Sequence, residues 1–126
     1  MVEAFATVAR ERFVGPSPWR IRSPIDRAQY STTEDADPRR AYHDVPIAVD
    51  ESLALNNGQP SLWASFHDQM NLSPGAHVLH LGCGTGYHSA ILAELVGQQG
   101  VVTVLEIDEM LANTRITRSN PGGRPP

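Results

Sequence analysis

One stretch constrains this chain more than any other: His77-Val78-Leu79-His80-Leu81-Gly82-Cys83-Gly84-Thr85-Gly86. An apolar run of strand length enters a turn carrying glycines at 82, 84 and 86. Tyr87 to Val96 follows, with Ile91, Leu92, Leu95 and Val96 recurring at the spacing of one helical face. Gly97 supplies a C-terminal stop, because glycine readily takes the left-handed conformation that ends many helices. Val101-Val102-Thr103-Val104-Leu105-Glu106-Ile107 is then a second β-rich run. Strand, glycine turn, helix and strand in that order predict a βαβ unit of an α/β fold.

A chain that leaves a strand and turns at once into a helix needs backbone angles that a Cβ obstructs. Bare backbone there also lets a ligand lie against the helix N-terminus. The spacing is G-x-G-x-G, tighter than the G-x-G-x-x-G turn that seats a pyrophosphate over a helix end. It is similar to motif I of S-adenosylmethionine-dependent methyltransferases, and it disfavours a dehydrogenase. Glu106, at the end of the second strand, stands where a carboxylate accepts hydrogen bonds from both hydroxyls of a ribose. The candidate cofactor-binding residues are therefore His80, Gly82, Cys83, Gly84, Gly86 and Glu106.

Charge and composition narrow the partners. At 126 residues the chain is one small domain at most. A net charge of −4 gives no support to nucleic-acid binding. The single cysteine, Cys83, excludes an intramolecular disulfide and fits a reducing compartment. The opening Met1-Val2-Glu3-Ala4-Phe5 has no basic segment and no apolar segment of signal-peptide type. No run approaches the ~18 apolar residues of a membrane span. The expectation is a soluble, cytoplasmic protein. His77, His80, Cys83 and His88 are close in sequence, yet residues three apart on a strand point to opposite faces, and no metal site is expected.

Three regions are expected: a helix and loop-rich region over 1–55, a partial cofactor-binding βαβ unit over 56–117, and a disordered tail over 118–126. Residues 2–13 read as one amphipathic helix, with Val2, Phe5, Val8 and Ala9 on one side and Arg10 and Arg12 mostly elsewhere. Trp19 to Arg40 reads as a loop-rich insert whose acidic cluster, Glu34, Asp35 and Asp37, is a solvated face. Ala41 to Val49 reads as a short extended segment that Pro46 confines to a sheet edge. Asn56 to Ser61 reads as a loop within which Pro60 suits the first turn of a helix carrying Leu62, Trp63, Phe66 and Met70. Trp63 and Phe66 are assigned to the core, and Asp108 to the cap of a last helix carrying Met110, Leu111 and Thr114.

Several separated segments together resemble the N-terminal part of protein-L-isoaspartate O-methyltransferases. They are Ala4-Phe5, Arg10-Glu11-Arg12-Phe13-Val14, Ala41-Tyr42-His43-Asp44-Val45-Pro46, Gln59-Pro60, Leu72 to Leu79, Leu95-Val96-Gly97 and Val104 to Asp108. The resemblance covers most of residues 2–113 apart from Trp19–Arg40. It implies a Rossmann-like class I methyltransferase fold, truncated here after the second core strand. It also implies S-adenosyl-L-methionine as methyl donor and an isoaspartyl carboxylate in a protein or peptide as acceptor. The sequence departs from the family at two functional positions. Gly58 stands where the family's loop carries the serine credited with catalysis, and His80 stands where its first strand often carries an acid. No catalytic residue is assigned.

Two function classes follow. One is a methyltransferase of the isoaspartyl type, working by in-line displacement on the sulfonium methyl. The alternative is a truncated, catalytically inactive remnant without the family's serine or substrate cleft. Two apolar strands with open outer edges also invite self-association.

Overall fold

The computed structural model describes the backbone of residues 1–118 and the side chains of residues 1–113. Almost all of the expected tail lies outside the described residues. The elements are α1 (Val2–Thr7), β1 (Arg20–Arg22), β2 (Tyr30–Thr32), β3 (Ile47–Asp50), β4 (Leu55–Asn57), α2 (Pro60–Gln69), β5 (His77–Leu81), α3 (Tyr87–Val96), β6 (Val101–Leu105) and α4 (Glu109–Arg118). Two short 3-10 turns, Arg10–Arg12 and Pro38–Tyr42, complete them. The chain divides into two compact units, where a single small domain was expected from its length. One unit joins Met1–Val8 to the segment from Leu72 onward, and the other is Ala9–Asn71.

The first unit holds the predicted βαβ. β5 and β6 pair in parallel, in register from His77 opposite Val101 to Leu81 opposite Leu105. α3 spans the predicted Tyr87–Val96 and ends at Gly97, whose φ of +69° and bond from its N–H to the Ala93 carbonyl close the last turn. Strand alternation sends Val78 and His80 inward and leaves His77, Leu79 and Leu81 exposed. Val78, Leu92 and Val96 form the core here, with Leu72, Ala76 and Val102 packed on it. The opposite face of the pair is apolar and exposed, at 64% for Leu81 and 56% for Leu105. Phe5 of α1 meets the Tyr87 ring edge-on at 6.5 Å. Asp108 caps α4 as predicted, its Oδ1 accepting from the N–H groups of Met110 and Leu111 at 2.9 and 3.1 Å.

The second unit departs further from expectation. The predicted helix over 2–13 breaks at Val8, which is extended, and Arg10–Arg12 is a separate 3-10 turn. Trp19–Arg40 is not all loop. It contains the β1–β2 hairpin of an antiparallel sheet ordered β2-β1-β3-β4. The signal was thin because Ile21 is the one aliphatic residue that these two short strands contribute. β3 is an interior strand and not an edge, because Pro46 lies just before it and uses only its carbonyl, which accepts from the Arg22 N–H at 2.9 Å. Asn56 and Asn57, expected in a loop, belong to β4. The core is Val14, Trp19, Ala41 and Ile47, with Ile21 against it. α2 runs as predicted from Pro60, but Phe66 is 48% exposed and Trp63 half-buried, and the buried residue on this helix is His67. The acidic cluster lies at the surface and pairs with Arg39 and Arg40.

Candidate functional site

The glycine turn closes at the carboxyl ends of the parallel strands, the edge of an α/β sheet where ligands bind. The Gly82 N–H reaches across to the Leu105 carbonyl at 2.8 Å and so ties the turn to the end of β6. Gly82 and Gly84 have φ of +65° and +55°, in the left-handed region. Nothing lies within 4 Å of where a Cβ would sit on either. The bare backbone therefore borders open space, as a cofactor cradle requires. Gly86 precedes α3 with φ +88° and accepts the Ala90 N–H at 3.0 Å, which starts the helix.

Glu106 is turned toward this cradle. Its Oε2 accepts the Gly84 N–H at 2.6 Å, and its Oε1 accepts the Asp108 N–H at 3.1 Å. Two backbone donors thus fix the carboxylate in place. A carboxylate offers about four acceptor positions, so each oxygen retains a further lone pair for a hydroxyl donor. Cys83 is buried in the turn.

His80 has a different position from the glycines. It is buried beneath the turn, and its Nδ1 shares a 2.9 Å hydrogen bond with Ser89 Oγ in the first turn of α3. Burial pushes its pKa below the ordinary histidine value, against the opposing pull of the Glu106 charge. A neutral imidazole bridging β5 to α3 is what this geometry holds. Sequence reasoning did not find Ser89; its place nine residues after His80, one turn into the helix, is the available signal. Among the described residues no group of three His, Cys, Asp or Glu side chains gathers as metal ligands would.

A second constellation lies in the unit Ala9–Asn71, around Gly58. A cavity of about 480 Å³ is lined there by Arg22, Arg27, Asp44, Gly58, Gln59 and Trp63, among others. Asp44 Oδ2 accepts from Gln59 Nε2 at 3.0 Å and from Ser61 Oγ at 2.7 Å, while its Oδ1 accepts the Ser61 N–H at 2.8 Å. The Gln59 and Ser61 bonds hold the Asp44 carboxyl below the usual carboxylate range. Ser61, the nearest hydroxyl in sequence to Gly58, is thereby committed to Asp44 and to the start of α2.

Arg10 organises the walls of this cavity. Its side chain is completely buried. Nε donates to Asn57 Oδ1 at 2.9 Å; Nη1 donates to the carbonyls of Ala41 and His43 at 2.9 and 3.0 Å; Nη2 donates to those of Val45 and Gly58 at 2.9 and 3.0 Å. One planar fork of five donors so joins the segment 41–45 to the segment 57–58. The sequence placed Arg10 on the outer side of a helix. No pattern of periodicity marks an arginine that goes inward to satisfy carbonyls.

A sequence profile of the protein-L-isoaspartate(D-aspartate) O-methyltransferase family matches residues 19–121. The chain belongs to this family. The match includes Trp19–Arg40, which the segment-by-segment resemblance had set aside. A protein-L-isoaspartate O-methyltransferase of Gloeobacter violaceus is 30% identical over 124 residues, covering 98% of this chain and 49% of the relative. Another, from Methanothrix thermoacetophila, is 33% identical over 116 residues, covering 91% and 45%. A solved structure of a protein-L-isoaspartate O-methyltransferase superposes with a TM-score of 0.69 at 26% identity, over 92% of this chain and 32% of that one. The chain thus spans about half the length of these two relatives and about a third of the solved chain. The α/β architecture read from the glycine turn is that of a class I methyltransferase.

Proposed function

We propose that this chain carries the S-adenosylmethionine cradle of an isoaspartyl-type protein carboxyl methyltransferase. The reading rests on one observation: the open, side-chain-free turn at Gly82 and Gly84 with the Glu106 carboxylate fixed against it by the Gly84 N–H. Gly82, Cys83, Gly84 and Gly86 lend backbone to the adenosyl group, and Glu106 accepts from the ribose hydroxyls. His80 supports the turn from beneath through Ser89 and is not itself a cofactor contact in this reading. When bound, S-adenosylmethionine supplies an electrophilic methyl group that an acceptor oxygen takes by in-line displacement. The chain's own residues orient the donor and hold the acceptor, and little covalent assistance is needed.

The acceptor is a carboxylate of a protein or peptide, as the names of the family and its relatives indicate for those proteins. A cytoplasmic setting belongs to the same reading, supported by the single free cysteine. No helix among the described residues is long and apolar enough to cross a membrane. Self-association through the β5–β6 pair is part of the proposal, on the strength of exposed Leu79, Leu81 and Leu105.

The experiment is transfer of a labelled methyl group from S-adenosylmethionine to a peptide containing one isoaspartyl residue, with the aspartyl peptide as control. Label on the isoaspartyl peptide alone is the expected result. Absence of transfer under saturating donor would contradict the proposal and leave the alternative of a chain that binds the cofactor without transferring the methyl.

A further inference from the structure

The chain has five asparagines, at 56, 57, 71, 113 and 120, and only Asn57 is followed by glycine. Asparagine before glycine is a labile pair, because a glycine has no side chain to hinder attack of its nitrogen on the asparagine amide. Packing requires glycine at 58. A Cβ built there would lie 2.1 Å from Trp63 Nε1 and 2.7 Å from its Cδ1, separations that never occur between real atoms. Backbone conformation is not the reason, because Gly58 is not among the residues with positive φ. The fold also holds the pair closed. Asn57 ends β4 opposite Ile47 and is 6% exposed. Its Oδ1 accepts from Arg10 Nε at 2.9 Å, its carbonyl from Nη2 at 3.4 Å, and the Gly58 carbonyl from Nη2 at 3.0 Å. One guanidinium therefore grips the side-chain amide and the backbone of both residues.

We propose that Asn57–Gly58 is a self-modification site, at which the chain converts asparagine to isoaspartate, and that Arg10 is the clasp that keeps it closed in the folded protein. The Gly58 nitrogen gives up its proton and bonds to Asn57 Cγ, the Cγ–Nδ2 bond breaks, and ammonia leaves with that proton. One water then opens the five-membered imide. At one carbonyl it yields aspartate; at the other it yields an isoaspartyl link that carries the main chain through the side chain. Ring closure requires Asn57 to turn out of the extended backbone of β4. Two effects of Arg10 oppose each other. Donation to Oδ1 would stabilise the oxyanion that forms there, yet the turn that brings Cγ to the Gly58 nitrogen withdraws Oδ1 from Nε. The reactive conformer lacks the donor, so restraint wins. The isoaspartyl product lengthens the main chain by one carbon and shifts the Gly58 carbonyl away from Nη2. Modification therefore undoes the clasp that delayed it. The inference does not depend on the methyltransferase reading.

The test ages the full chain in neutral buffer as wild type, Arg10→Lys and Val14→Ala, beside a synthetic peptide of residues 53–62. Val14→Ala trims the core of the same unit and leaves the clasp intact. Circular dichroism confirms that each chain stays folded, and mass spectrometry with electron-transfer fragmentation counts aspartyl and isoaspartyl residues at 57. Both products are expected in the peptide. Wild type should react about a hundredfold more slowly than the peptide, and Arg10→Lys about tenfold faster than wild type. Val14→Ala should stay within about twofold of wild type. A wild-type rate equal to that of the peptide overturns the inference, and so does a peptide that yields no isoaspartate. An unaccelerated Arg10→Lys, or equal acceleration in Val14→Ala, overturns the role of Arg10 as the clasp. If Arg10→Lys does not fold, the comparison of wild type with peptide remains decisive. No cofactor enters the measurement, so its failure leaves the methyltransferase reading untouched.

Discussion

Replacing Arg10 by Met tests how much one buried cation holds together. Methionine keeps the unbranched apolar stem and removes the six hydrogen bonds that the guanidinium donates. The acceptors left behind are not equivalent. Those at Asn57 Oδ1 and the Ala41 carbonyl are buried and bonded at 2.9 Å, the buried Asn57 carbonyl is only loosely held at 3.4 Å, and those at His43, Val45 and Gly58 are partly buried and can be reached by water. A stranded buried acceptor costs about 1–3 kcal/mol, so the two closely bonded buried ones give about 2–6 kcal/mol. Relief from burying the guanidinium charge reduces this sum, because the oxygens that accept its hydrogen bonds here are neutral. A net loss of about 3 kcal/mol is expected, a large fraction of the ~5–15 kcal/mol typical of a domain. Arg10→Lys should lose less, since an ammonium retains three donors but cannot span the same fork. Urea unfolding followed by tryptophan fluorescence is the assay, because Trp19 and Trp63 both lie in the unit Ala9–Asn71 that Arg10 braces. A loss under ~1 kcal/mol for Arg10→Met would refute the reasoning.

Three further outcomes are expected. His80 has a folded pKa below its unfolded one, so the unfolded chain binds the extra proton first. Its contribution to stability is complete above about pH 6.5 and is lost as pH falls from there through the folded value; His80→Asn should flatten that part of a stability–pH curve, and an unchanged slope would contradict the assignment. Glu106→Gln keeps one accepting oxygen where two N–H donors need partners, so affinity for S-adenosylhomocysteine should fall about tenfold, roughly 1.4 kcal/mol, in calorimetry; equal affinity would remove Glu106 from the cradle. Asp44→Ala deletes the acceptor for the Ser61 N–H at the start of α2 and should cost about 1 kcal/mol in urea unfolding; no loss would show that water replaces it fully.

The first unit was legible in the sequence because its signals are local. Three glycines, a helical face and two apolar strands each speak within a window of a few residues, and the predicted bounds of α3 and the Asp108 cap match those observed. In the second unit α2 was legible but the sheet was not, because its short strands carry polar and charged residues and are specified by pairing across the sequence. Arg20 and Arg22 flank Ile21 in a strand whose partners are Tyr30–Thr32 on one side and Ile47 on the other. Arg10 and Trp63 illustrate the same limit at the level of side chains. Arg10 is inward because carbonyls from residues 41 to 58 converge on it, and Trp63 matters because Gly58 leaves it room. Neither fact leaves a periodic trace. Among the cofactor candidates, the glycines and Glu106 were placed by their motif, while the role of His80 depended on Ser89, which the motif does not include.

The central claim is that the turn between β5 and α3 is open so that an adenosyl group can lie on it. Titration calorimetry of S-adenosylhomocysteine into the full chain, beside the Gly84→Val variant, addresses it directly. The wild type should bind with a dissociation constant on the order of micromolar, near 8 kcal/mol. The variant should bind not at all, since a branched side chain at Gly84 would project into the open space and sit at a left-handed backbone position. Equal affinity in the two proteins, or no heat from the wild type, would contradict the account.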